Sequence, residues 1–284
     1  MNTYKRMDGP ILIAGCGYVG SRLASELLDS GATVLGLRRQ VDLLPPGVRP
    51  VKADLADPGS LPEVPDLAGL VYAPSAGARN RDAYRRAYVE GVDRLADALG
   101  ERAAGLARAI YVSSTAVFGD ADGVVDESTP AVASSETSAE ILDGEARFLA
   151  RFPNALVLRF AGIYGPTRSR LVRQVASGGP FDVRDEVVGN RIHRDDCAGS
   201  LAHLLAHPAP DSLYVGVDDA PSTHGEVRAF LAKRLGLSSD GFETAAVPVG
   251  KRLSNARLRA SGYVFRVPTF REGYPSIVDE VTSG

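Results

Sequence analysis

Cysteine is scarce in this 284-residue chain. Cys16 and Cys197 cannot build a disulfide framework, and they lack the spacing of a thiolate metal cluster. Histidine is scarce too. His203 and His207 stand four apart, but no glutamate follows the first, as a helical zinc site of the metalloprotease type requires. No metal is expected. Neither sign of charge gathers into a block, and 32 basic against 35 acidic side chains leave a net charge of −3. A nucleic-acid partner, which calls for a basic patch, is therefore not expected. No apolar stretch reaches membrane-spanning length, so no membrane partner is expected either. Met1 to Pro10 is polar and lacks the apolar core of a secretory signal. The sequence reads as cytoplasmic. It contains no internal repeats and no long disordered linker. The partners expected are a small-molecule substrate and, as an option that the sequence leaves open, a second copy of the chain in a homodimer.

Glycine, in contrast, is placed with purpose. The apolar run Ile11-Leu12-Ile13-Ala14 breaks into Gly15-Cys16-Gly17-Tyr18-Val19-Gly20, a Gly-x-Gly-x-x-Gly turn. An amphipathic stretch follows, with Val19, Leu23, Leu27 and Leu28 on one face and Gly31 as a stop. Gly15 suits a tight strand-to-helix turn, Gly17 lets a pyrophosphate approach the backbone, and Gly20 lets the helix pack on the strand. The N–H groups and positive dipole end of the helix then face the phosphates. Cys16 reads as a small filler of this turn, since no base stands beside it. A strand before the glycines and a helix after them favour a dinucleotide site over a plain glycine turn.

Strand and helix patterns alternate beyond this point. Strands are expected at Thr33 to Leu37, Val48 to Ala53, Leu70 to Ala73, Ala109 to Val112, Ala155 to Arg159 and Ser212 to Val217. Helices are expected at Ala83 to Leu99, Ala139 to Arg151, Asp195 to Ala206 and His224 to Leu235. This alternation predicts an α/β fold, a Rossmann-type doubly wound parallel sheet with a smaller C-terminal substrate lobe. Residues 1–165 are expected to form the dinucleotide-binding domain and 166–284 the substrate lobe, with 190–217 returning to the first. The polar gap from Gly119 to Glu136 is long enough for a functional loop. The segment from Pro248 to Pro275 is expected to wrap back over the ligand cleft.

Several stretches, taken in order, resemble the extended short-chain dehydrogenase/reductase superfamily, the group of nucleotide-sugar epimerases and dehydratases. They are the glycine turn, Ala53-Asp54-Leu55, Tyr111-Val112-Ser113-Ser114-Thr115-Ala116-Val117-Phe118-Gly119, Leu158-Arg159-Phe160-Ala161-Gly162-Ile163-Tyr164-Gly165-Pro166 and Ile192-His193-Arg194-Asp195-Asp196. The glycine spacing departs from the Gly-x-x-Gly-x-x-Gly usual for that superfamily. The resemblance implies that Asp54 accepts from the adenine amino group and that Leu55 packs on its ring. It also places Ser114 at the catalytic serine position. The superfamily's Tyr-x-x-x-Lys is missing from the whole chain. An alignment through Leu142-Asp143-Gly144-Glu145 puts Thr137 and Ile141 at those two positions, and neither can replace a phenol or an ammonium group. Glu136, Glu140 and Tyr164 are the candidate substitutes for the acid/base.

In NAD-preferring relatives a carboxylate ends the second strand and bonds the ribose 2′-hydroxyl. Here Arg38 and Arg39 stand there, and guanidinium groups favour a 2′-phosphate. NADP is thus expected as cofactor, with NAD as the alternative. Ala73, Pro74 and Ser75 would line the pyrophosphate and nicotinamide ribose, Pro74 without an N–H to offer. In the second half, Arg168, Arg170, Arg173, Arg191 and Arg194 suit an anionic or nucleotide-linked substrate. The expectation is an oxidoreductase or epimerase-like enzyme with a rebuilt acid/base. The alternative is a non-catalytic NADP(H)-binding sensor or regulatory protein.

Overall fold

Seven strands form the central sheet of the computed structural model, which describes residues 8–57, 59, 61–242 and 247–283. The polar start read over residues 1–7 lies outside them. The strands are Ile11–Ala14 (β1), Val34–Arg38 (β2), Arg49–Lys52 (β3), Gly69–Tyr72 (β4), Arg108–Ser114 (β5), Ala155–Phe160 (β6) and Leu213–Gly216 (β7). Their order across the sheet is β7-β6-β5-β4-β1-β2-β3. β1 runs parallel to both neighbours, with Ile11 opposite Val34 on one side and Gly69 on the other. β2–β3 and β4–β5 are parallel as well. Strands buried on both faces need unbroken apolar runs, and all four residues of β1 and of β4 are buried. The chain leaves β1 outward through β2 and β3, then returns to the other side of β1 with β4. That reversal opens a crevice at the carboxyl ends of β1 and β4, where ligands of such sheets bind.

The chain folds as two units. The first comprises Met1–Gly119, Pro130–Arg159 and Ala198–Tyr214, and the second Asp120–Thr129, Phe160–Cys197 and Val215–Gly284.

In the first unit Tyr18–Asp29 (α1) follows the glycine turn. The helix expected from Ala83 is built in three pieces: Arg81–Tyr84 (α2), a π-helical stretch Arg85–Glu90, and Gly91–Leu99 (α3). A wide π turn redirects backbone carbonyls, and two are taken by buried tyrosines of the sheet. Tyr72 Oη donates to the Ala87 carbonyl at 2.6 Å and Tyr111 Oη to the Tyr88 carbonyl at 3.2 Å. The two rings stack at 5.7 Å, and Phe148 packs against both. Phe148 lies on Glu136–Arg151 (α4), which begins three residues before the expected start. Ser135 caps it: its Oγ accepts from Ser138 N–H while Ser138 Oγ accepts from Ser135 N–H. α4 comes close because residue 144 is glycine; a Cβ there would stand 2.3 Å from both Tyr111 Oη and the Tyr88 carbonyl.

The second unit has its own core. Phe270, Tyr274 and Ile277 on Phe270–Thr282 pack with Val227 and Leu231 on His224–Arg234 and with Val172 and Val175 on Arg170–Ala176. Three short strand pairs frame it: Gly162–Tyr164 with Arg191–His193, Val188–Gly189 with Ser222–Thr223, and Val124–Val125 with Arg252–Leu253. Asp196 ties the Arg-, Gly- and Tyr-rich C-terminal segment to this frame. Its carboxylate accepts from Tyr263 Oη at 2.8 Å, Arg266 N–H at 2.7 Å and Val267 N–H at 2.9 Å.

Candidate functional site

Each glycine of the turn meets a different physical demand. Gly15 has φ +94°, and a Cβ on it would stand 2.4 Å from the Ala73 carbonyl oxygen at the end of β4. Only glycine fits where β1 turns against β4. A Cβ on Gly20 would stand 2.9 Å from the Gly15 carbonyl and 3.0 Å from Ile13 Cγ2, so α1 lies directly on β1. At Gly17 the requirement is the opposite. It is exposed, and a Cβ there would meet nothing nearer than 3.9 Å. Space beside bare backbone is what a phosphate needs for close approach.

α1 begins at Tyr18 with Gly17 at its N-cap, no side chain capping it and no acidic residue in its first turn. The positive end of the helix dipole thus meets neither a capping side chain nor an acidic residue of its own first turn. Val19 and Gly20 are buried, holding that first turn on the sheet. Cys16 is buried beneath the turn, and burial pushes its thiol up from the ordinary range, as befits a filler and not a nucleophile.

Arg38 ends β2, half-buried, and lies close enough to Cys16 for its charge to act on the thiol. Its Nη1 donates to the Leu43 carbonyl at 3.1 Å. Arg39 is exposed, 3.8 Å from Asp54 Oδ2. Asp54 Oδ1 accepts from Ala56 N–H at 2.9 Å. Leu55 is buried in the core of the first unit, and its carbonyl accepts from Arg94 Nη1 at 2.8 Å. After β4, Ala73 and Pro74 are half-buried and Ser75 is exposed. The sheet order thereby brings Gly15 to Gly20, Arg38, Arg39, Asp54, Leu55 and Ala73 to Ser75 to the carboxyl ends of β1 to β4, four adjacent strands. These residues fit a dinucleotide phosphate: open backbone, an uncapped helix start and two cations.

Ser114 is the last residue of β5, one strand further along. Its Oγ accepts from Ala116 N–H at 3.2 Å, capping the turn Thr115–Phe118. Ser113 points the other way, into a buried network that sequence reasoning missed. Its hydroxyl bonds Glu145 Oε1, and Glu145 in turn takes Arg159 Nε at 3.0 Å and Nη2 at 2.7 Å. The Arg159 guanidinium carbon stands 4.9 Å from the centre of the Phe118 ring.

Glu140 is 4% exposed on α4 and is held by two arginines, Arg81 Nε at 2.8 Å and Arg85 Nη1 at 3.2 Å. Thr137 lies half-buried in the first turn of the same helix, its hydroxyl 3.2 Å from Ser135 Oγ. Ile141 is buried.

Tyr164 belongs to the second unit. Its ring is buried, stacked on Tyr274 at 4.7 Å with His193 edge-on at 5.3 Å, and its hydroxyl donates to the Thr269 carbonyl at 3.3 Å. Burial, with Asp218 next in effect, pushes the phenol up. Arg168, Arg170, Arg173 and Arg194 each bond a near neighbour: the Ile163 carbonyl, Asp182, Ser169 and Asp195. Arg191 differs, being buried.

Among the described residues no group of three or more His, Cys, Asp or Glu side chains could hold a metal ion. No helix among them is long and apolar enough to cross a membrane. An open cleft of about 750 Å³ lies at the other, amino-terminal edge of the sheet, lined by Asp66, Arg102, Arg108 and His207 among others. None of the site residues above contributes to it.

Residues 11–212 match the NAD dependent epimerase/dehydratase family. Among solved structures, one from Methylobacillus flagellatus, named only by its family as an NAD-dependent epimerase/dehydratase, is 36% identical with a TM-score of 0.82, covering 96% of this chain and 99% of that one. Protein YeeZ of Escherichia coli K12 is 27% identical over 277 residues, 91% of this chain and 96% of its own. The UDP-glucuronic acid 4-epimerase of Bacillus cereus, solved in complex with NAD, shares the fold at a TM-score of 0.79 and 18% identity, covering 96% of this chain and 99% of that one.

Proposed function

The chain belongs to the NAD dependent epimerase/dehydratase family, and on that premise we propose that it is a cytoplasmic, NADP-dependent enzyme of the oxidoreductase or epimerase kind, acting on a small anionic substrate. The observation that carries this reading is the open face of Gly17 beside the uncapped start of α1. The N–H groups of that first turn would hold the pyrophosphate. Arg38 and Arg39 would take a 2′-phosphate, which asks for charge-assisted hydrogen bonds where NAD would offer a hydroxyl. Asp54 and Leu55 would border the adenine, and Ala73 to Ser75 the nicotinamide ribose. When bound, the nicotinamide supplies a donor or acceptor of hydride.

The chain's own contribution to chemistry centres on Ser114. Its Oγ already accepts one backbone N–H, which orients the side chain and leaves the O–H to donate to a substrate oxygen. The arginines of the second unit favour a substrate that carries negative charge.

One observation favours a second reading, a non-catalytic sensor of NADP(H). The two carboxylate oxygens of Glu140 are engaged by Arg81 and Arg85, and the hydroxyl of Tyr164 by Thr269. Neither is at liberty to shuttle a proton without giving up a structural bond. Nicotinamide absorbance followed over a panel of anionic carbonyl compounds and their alcohols separates the two. Turnover that falls in Ser114→Ala supports the enzyme. Tight NADPH binding with no turnover over the whole panel supports the sensor.

A further inference from the structure

The cleft where β4 and β5 begin lies wholly within the first unit, at the opposite end of the strands from the glycine turn. Its volume of about 750 Å³ is that of a small-molecule pocket. Neither the cofactor residues nor Ser114 take part in it.

Charges of both signs line this cleft without pairing with each other. Arg108, the first residue of β5, is half-buried there. Its Nη2 donates to the His207 carbonyl at 3.1 Å, its Nε is sealed from solvent with no acceptor, and among the described residues its Nη1 makes no hydrogen bond. Burial pushes the guanidinium down, and the Tyr214 phenol, not a carboxylate, acts against that. A partly desolvated guanidinium with no carboxylate beside it is incomplete. Arg102 is the contrast. Its Nε, Nη1 and Nη2 all donate to backbone carbonyls, those of Leu99, Val64 and Ala98, so it is spent on closing the end of α3. His207 Nδ1 accepts from Ala209 N–H at 3.2 Å, which leaves the proton of the neutral ring on Nε2. Asp66 and Glu101 line the same cleft, both exposed, and among the described residues their side chains make no ion pair.

We propose that this cleft binds a short free peptide, its terminal carboxylate at Arg108 and its terminal ammonium group at Asp66 and Glu101. The site is separate from the cofactor crevice and does not depend on it. A simple anion would leave the two carboxylates unpaired, and a simple cation would leave Arg108 so. A molecule with both charges at its two ends completes both. The two Nη groups of Arg108 give a carboxylate paired, charge-assisted hydrogen bonds, and an ammonium group donates three to carboxylate oxygens. The volume of the cleft gives room for more than a single amino acid.

The test is a titration of the full chain with trialanine, with trialanine amide, which lacks the carboxylate, and with N-acetyltrialanine, which lacks the ammonium group. Nuclear magnetic resonance follows the His207 ring, identified by the signal lost in His207→Gln. The expected result is a saturable shift with trialanine and affinities roughly ten-fold or more weaker for each blocked form, the scale of one charged hydrogen bond. Arg108→Met should weaken trialanine to the level of the amide and leave the amide unchanged. Asp66→Asn combined with Glu101→Gln should weaken trialanine and leave N-acetyltrialanine unchanged. Both acids are exposed, so this second variant keeps the test decisive if Arg108→Met fails to fold by circular dichroism. Free alanine should bind more weakly than trialanine. No saturable shift with trialanine, a blocked form or alanine that binds as tightly, or trialanine affinity unchanged in the folded variants overturns the proposal.

Discussion

Glu145 holds Arg159 through two hydrogen bonds, Nε to Oε1 at 3.0 Å and Nη2 to Oε2 at 2.7 Å, with the side chains 7% and 8% exposed. The pair joins α4 to β6, and Ser113 adds β5. A buried pair of this kind contributes little net stability over an apolar pair, but removing one partner is severe. Glu145→Ala should lower stability by about 3–5 kcal/mol, because Arg159 is left buried beside Phe118 with no carboxylate. Glu145→Leu combined with Arg159→Met should recover much of that loss. Urea unfolding reads both through the midpoint at constant slope. A wild-type midpoint in Glu145→Ala contradicts this account of the network.

The glycine turn should separate folding from binding. In Gly15→Ala the new methyl group meets the Ala73 carbonyl at a φ of +94°. The backbone conformation alone should cost about 1–3 kcal/mol, before the clash is counted. Gly17→Val falls on an exposed turn with open space, so its stability should stay within about 0.5 kcal/mol of wild type. Its isopropyl group should nonetheless abolish cofactor binding. Thermal melts paired with cofactor titrations check both, and a Gly17→Val protein that still binds removes the phosphate from this turn.

Asp218 and His224 should give stability two opposing pH dependences. Burial pushes Asp218, which is 1% exposed, up to about 7. The stability gained by keeping it neutral is full below its unfolded value near 3.9 and is lost as pH rises toward 7. Burial pushes His224 down to about 4. The stability of its neutral ring is full above 6.5 and is lost as pH falls toward 4. Each slope is at most about 1.4 kcal/mol per pH unit, and smaller for the half-buried histidine. Between about 4 and 6.5 the two contributions should largely cancel. Asp218→Asn should leave stability rising with pH across that window, and His224→Gln should leave it falling. Urea midpoints at the two ends of the window read the sign, and a variant with the opposite slope rejects the assignment.

Much of this architecture was legible in the chain. Ile11 to Gly20 names its strand, turn and helix because each glycine answers a separate steric demand, and the apolar run before it must be a buried strand. The π stretch Arg85–Glu90 was hidden, because one extra residue in a turn barely disturbs the apolar spacing of Tyr84, Tyr88 and Val92. The early start of α4 was hidden because Ser134, Ser135 and Glu136 look like loop until Ser135 is seen to cap. The Glu145–Arg159 pair joins different elements, and no local pattern announces it. Burial of Arg191, Arg228 and Asp218 was equally invisible, since charged residues in a sequence read as solvated.

The central claim is that the crevice at Gly17 holds NADPH, chosen by Arg38 and Arg39. Calorimetric titration of the unmodified protein with NADPH and with NADH, repeated on Arg38→Ala and Arg39→Ala, tests it most directly. One charge-assisted pair to the 2′-phosphate is worth about 1.5–3 kcal/mol, so NADPH should bind roughly ten-fold or more tightly than NADH. Each substitution should bring NADPH down toward the NADH value and leave NADH nearly unchanged. Equal affinities in the unmodified protein, or a preference for NADPH that survives both substitutions, would contradict the account.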